Sequence, residues 1–153
     1  MTPEQIVETR RSAEDSFSSG LYCAESVLLA LADAQGLESE LLPRIATGFC
    51  SGMARTCGTC GALTGAMMGI SLALGRSQPN ETLQPAYEAT QRLVREFEQA
   101  FGTRACHELL GCDLGTAEGQ AHFRENRLGE RCLAFTGAAA EMAARILSQE
   151  PKR

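Results

Sequence analysis

Beta-branched aliphatic residues are scarce in this chain: three Val and four Ile among 153 residues, against plentiful Ala, Leu, Glu, Gln and Arg. That balance works against strands, because unbranched side chains lose little rotamer freedom in a helix. Histidine is nearly missing as well. With only His107 and His122, a metal site would have to be built mostly from thiolates. Positive charge is also short. A net charge of -5 at pH 7 and a pI near 5.1 leave no basic face for nucleic acid or an anionic membrane surface. The terminal Lys152-Arg153 pair is too small to supply one. No cationic segment with an apolar run behind it follows Met1, since residues 1 to 16 are polar and mixed in charge. No signal peptide is therefore expected, and the sequence reads as a cytoplasmic protein.

A further absence is local. Between Arg55 and Arg76 there is no Asp, Glu, Lys or Arg, in the stretch beginning "TCGTCGALTGAMMG". A membrane span needs roughly 20 strongly apolar residues. These twenty positions hold two Cys, four Ser or Thr and five Gly, and no second candidate span exists. The series Gly61, Gly65, Gly69 lets other helices approach closely, as small residues also do in membranes. The reading that fits is a central bundle helix, about residues 58–75, surrounded by its neighbours.

The rest of the chain reads as helices around it. Thr2-Pro3-Glu4-Gln5 has the spacing of a capping box with Pro at the first helical position, and Gly20 stops that helix. A second helix is expected from Cys23 to about Gln35, with Val27, Leu28 and Leu31 inward and Gly36 as its stop. A short helix follows Pro43. A long one spans about Asn80 to Phe101, its stripe taken as Leu83, Tyr87, Val94, Phe97 and Phe101. "CHELLGC" gives one or two turns, and an Ala-rich helix runs from about Leu133 to Ser148 with Met142, Ile146 and Leu147 buried. No repeat or linker divides residues 1–153. The expectation is a single all-α domain, a compact bundle of five or six helices.

Seven cysteines are many for a cytosolic chain whose core needs no staples, and point to thiol chemistry or metal. Cys57 and Cys60 form a CxxC at or just before a helix N-terminus, where free N–H groups and the helix dipole favour a thiolate. Arg55 adds a nearby cation. Cys23, Cys106 and Cys132 each lie near a helix start too, which suggests that four helix ends converge. His107, beside Cys106, is a candidate base or ligand set against a solvated helix histidine. Cys50 and Cys112 have no evident partner in the sequence. Arg104 and Arg131 also stand close to cysteines and would stabilise thiolates or an anionic substrate if they line the site.

The order of Cys23 in "GLYCAESVL", Cys60 in "CGALTGA", Cys106 in "ACHELLGCDL" and Cys132 before the Ala-rich helix resembles the C-GCAxxG-C-C family. The resemblance covers about Phe17 to Leu147 and implies a small all-helical bacterial or archaeal protein with a redox role. It carries over Cys23, Cys60, Gly65, Cys106 and Cys132. The central string departs from the label: it reads Cys60-Gly61-Ala62-x-x-Gly65, with Thr59 before the cysteine. Cys57 is additional and rests on its chemistry alone.

Three functions compete. The first is thiol–disulfide or electron-transfer chemistry with no cofactor required, using Cys57 and Cys60 as attacking and resolving thiols, Cys23 as a second partner, and Arg55, Gly61 and Gly65 in support. Its thiol or electron partner is not specified; an enzyme of this kind would be a thiol-dependent oxidoreductase. The second is zinc or an iron–sulfur cluster held by Cys23, Cys60, Cys106 and Cys132. The third is a non-enzymatic helical module whose small-residue helix mediates packing or homodimerisation.

Overall fold

The computed structural model describes residues 1–151; the Lys152-Arg153 pair lies outside the described residues. In chain order the elements are α1 (Pro3–Ser18), α2 (Cys23–Ala34), a 3-10 helix (Arg44–Phe49), α3 (Cys50–Arg55), α4 (Gly61–Leu74), α5 (Gln84–Phe101), α6 (Cys106–Leu110), α7 (Ala117–Glu125) and α8 (Gly129–Ser148). The fold is all-α, with no strand among the described residues. Five helices of 12 to 20 residues form the bundle. Of the three short ones, α6 is the turn expected at "CHELLGC", while α3 and α7, of 6 and 9 residues, were not expected because segments that short carry too few periodic positions to read.

Local chemistry explains the ends. Thr2 Oγ1 accepts from the Gln5 N–H at 3.2 Å while Gln5 Oε1 accepts from the Thr2 N–H at 2.8 Å, closing the expected capping box. Gly102 ends α5 in the left-handed conformation at φ 86°.

α4 lies inside the bundle against α2, α8 and α5. It begins at Gly61, later than expected, because Gly58 to Cys60 are held extended by another segment. Residues 61 to 66 are buried on every side, but Ser71 and Leu72 reach solvent, so only the N-terminal half is fully surrounded. In α5 the inward stripe is Ala89, Leu93 and Phe97, with Val94 and Phe101 packed beside it. Tyr87, expected in that stripe, is 56% exposed, which keeps its hydroxyl in water. In α8, Ile146 is buried while Met142 and Leu147 are half-buried against the core. No helix among the described residues is long and apolar enough to cross a membrane.

Candidate functional site

Four helix starts meet at one place. Cys23 is the first residue of α2, Cys60 caps α4, Cys106 is the first residue of α6, and Cys132 lies in the first turn of α8. All four line a cavity of about 410 Å³, a volume suited to a small organic ligand. Phe17, Leu109, Phe123 and Phe135 form its apolar wall, and Arg55 and Arg124 stand at its edge. No carboxylate is among the described residues that line it.

Two short backbone devices hold the sulfurs there. The first is an antiparallel bridge between Thr59 and Ala105. The Cys60 N–H donates to Arg104 O at 2.7 Å, and the Cys106 N–H donates to Gly58 O at 3.0 Å. These bonds place the α4 and α6 cysteines side by side and explain the late start of α4. The second device is α3, a turn of left-handed helix. Ser51, Gly52, Met53 and Ala54 have φ between 57° and 67° and ψ between 42° and 66°. Side-chain residues rarely adopt this conformation in succession, since it costs about 1–2 kcal/mol each. The turn brings Gly52 against α6, where a β carbon would stand 2.6 Å from Cys106 Cβ. The Gly58 N–H donates back to Gly52 O at 2.8 Å and closes the loop.

Burial decides the protonation of these thiols. It pushes Cys60 up to about 11, Cys106 to about 11 and Cys132 to about 12. The amides of Ala62 and Leu63 pull Cys60 the other way, as a helix N-terminus should, but burial outweighs them. The expected thiolate at the α4 N-terminus is therefore a protonated thiol at neutral pH. Cys57 departs further from expectation. It is exposed, adopts φ 59°, lies outside the cavity lining, and is pushed up by the neighbouring Asp113 carboxylate and by some loss of solvent.

Arg55 is exposed and lines the cavity, as a supporting cation requires. Arg104 and Arg131 do not: Arg104 approaches Glu98 at 4.0 Å and Arg131 donates to Leu109 O at 3.4 Å. His107 is exposed and outside the lining. Gly61 and Gly65 are close-approach points. A β carbon on Gly61 would collide with Cys23 Sγ, and one on Gly65 would stand 2.6 Å from Ala24 O. Arg124, from α7, is a cavity residue for which the Gly-rich stretch around it gave no signal.

Cys50 was also without a partner in the sequence. It is 4% exposed, and its thiol donates to Glu25 Oε1 at 3.6 Å and Ala46 O at 3.7 Å. Contact with the Cys23 thiol, together with burial, pushes it up strongly. All seven cysteines are free thiols. Although four share one cavity, no three His, Cys, Asp or Glu among the described residues come together in a way that could hold a metal ion. As arranged, Cys23, Cys60, Cys106 and Cys132 do not fit zinc or an iron–sulfur cluster.

No curated protein and no solved structure is significantly similar to the chain. A family model described as "Putative redox-active protein (C_GCAxxG_C_C)" matches residues 21–146, which span every cysteine. With its four cysteines gathered at helix starts around one cavity, the chain belongs to the C-GCAxxG-C-C family, whose role is redox.

Proposed function

We propose that this protein carries out thiol–disulfide chemistry on a small substrate admitted to the cysteine-lined cavity. The observation that supports this reading is the convergence of Cys23, Cys60, Cys106 and Cys132 on one 410 Å³ space. Cys60 and Cys23 meet the substrate. Cys57, exposed three residues before Cys60, exchanges with an external thiol or electron partner and so links the surface to the interior through the CxxC. Arg55 and Arg124 favour a substrate that carries negative charge on an otherwise apolar body, because the wall is apolar and no described lining residue is acidic.

The test is a thiol count on anaerobically purified full-length protein before and after treatment with a small disulfide. At least one internal disulfide is expected in the folded protein, reopened by a mild dithiol. If all seven thiols react only after unfolding, the reading fails. Metal content and an absorption spectrum on the same sample test the competing zinc or cluster reading. Stoichiometric metal on Cys23, Cys60, Cys106 and Cys132 would replace the thiol reading.

A further inference from the structure

Cys50 is the one fully buried cysteine outside the cavity lining, and its surroundings are built rather than incidental. It sits directly behind Cys23. A β carbon on Gly61 would strike Cys23 Sγ and would also stand 3.1 Å from Cys50 Cα, so the two cysteines share the space that this glycine leaves open. The two thiols are themselves in contact, the Cys50 side chain hydrogen-bonding to that of Cys23, so the sulfurs that a disulfide would join are already neighbours. Cys23 faces the cavity, and Cys50 does not.

A carboxylate is fixed against the inner sulfur. The Cys50 thiol donates to Glu25 Oε1 at 3.6 Å. The same carboxylate accepts from the Tyr22 N–H at 3.0 Å and from Thr47 Oγ1 at 2.9 Å, so it is held by two further donors from different segments. No cation pairs with Glu25 among the described residues.

We infer that Cys23 and Cys50 form the working dithiol of this protein, with Cys23 attacking a disulfide substrate in the cavity, Cys50 resolving the mixed disulfide, and Glu25 accepting the Cys50 proton. This rests on the thiol-redox reading above and adds the pair, the base and the substrate class. The steps balance. Cys23 Sγ attacks one sulfur of the substrate disulfide, whose S–S bond breaks, and the first thiol leaves with the Cys23 proton. Cys50 passes its proton to Glu25 and attacks Cys23 Sγ. The mixed disulfide then breaks, and the second thiol leaves with the proton from Glu25. Two electrons pass from the protein thiols to the substrate, which becomes two thiols, while the protein gains a Cys23–Cys50 disulfide.

Trypsin separates the candidate partners except Cys57 from Cys60 and Cys106 from Cys112, whose disulfides would read as the loss of two hydrogens within one peptide. Cys23 falls in residues 12–44, Cys50 in 45–55, Cys57 and Cys60 in 56–76, Cys106 and Cys112 in 105–124, and Cys132 in 132–145. The reduced full-length protein is treated with one equivalent of dithiobis(nitrobenzoic acid), an aromatic disulfide bearing carboxylates. It is then quenched at acid pH and mapped by mass spectrometry. The first cross-link expected joins 12–44 to 45–55, and Cys50→Ser is expected to stop at a mixed disulfide on Cys23. Glu25→Gln preserves the Tyr22 contact, since glutamine serves equally in a capping box. It is expected to slow closure about tenfold at neutral pH, in line with the usual size of a positioned base, and to shift the pH profile, with the melting temperature held. A first cross-link at any other pair overturns the assignment and leaves the thiol-redox reading standing. No cross-link anywhere overturns both. An unchanged closure rate in Glu25→Gln removes the carboxylate from the proposal.

Discussion

At Cys60 two opposing effects act on one sulfur. The amides of Ala62 and Leu63 at the start of α4 stabilise negative charge, and burial destabilises it. Burial wins and leaves the thiol near 11, so at neutral pH only about one molecule in ten thousand carries the thiolate. The helix N-terminus is legible in the sequence, but desolvation is not, because the residues gathered around Cys60 come from segments as far apart as α1, α2 and α8. The consequence is measurable. Modification of the 56–76 peptide at Cys60 by iodoacetamide should accelerate about tenfold per pH unit above neutrality and level off only near pH 11. A plateau near pH 7 would mean that the dipole, not burial, controls this thiol. Cys57 in the same peptide serves as the exposed internal comparison.

Along α4 the three glycines in its register are not equivalent. A β carbon at Gly65 would stand 2.6 Å from Ala24 O and 2.9 Å from Ala24 Cα, both backbone atoms of α2 that cannot yield without moving the helix. One at Gly69 would collide with Leu31 Cδ1, which a rotamer change can move, and lie 2.7 Å from Leu31 Cβ, which it cannot, so only part of the strain falls on a movable atom. Gly65→Ala should therefore destabilise the fold by about 2–3 kcal/mol. Gly69→Ala should cost less, because one of its contacts is the movable end of Leu31 rather than backbone; the roughly 1 kcal/mol that alanine gains over glycine in a helix applies to both variants. Urea unfolding of the two variants checks the order, and equal losses would show that the two contacts are equally rigid. This role of small residues was legible in the uncharged, glycine-spaced stretch. The left-handed turn of α3 was not, because Ser51, Met53 and Ala54 carry no preference for positive φ. Its conformation is imposed by what Gly52 meets at α6 and by the bond from Gly58.

Over the whole molecule, helix starts were readable from caps and stops, and so the four cysteines of the cavity could be picked out. Which cysteines touch was not readable. Cys23 and Cys50 lie on either side of a 3-10 helix with no periodicity, and Glu25 declares itself in sequence only as a plausible cap partner for Tyr22. The same burial that governs reactivity also couples the cavity to global stability. Cys60, Cys106 and Cys132 titrate at about 11, 11 and 12 in the folded chain, above the ordinary thiol value of 9.0. A group raised on folding contributes stability that is complete below its unfolded value and is lost as pH rises through its folded one. Stability should therefore hold up to about pH 9 and decline through pH 11–12. By pH 11 Cys60 alone should account for about 2 kcal/mol, or roughly 4–8 °C in Tm for a chain of this size. Thermal melts of the reduced protein and of Cys60→Ala, compared between about pH 8 and pH 11, should show a shallower alkaline decline in the variant. Identical slopes would place the origin of alkaline unfolding outside the cavity and separate its thiol chemistry from the stability of the bundle.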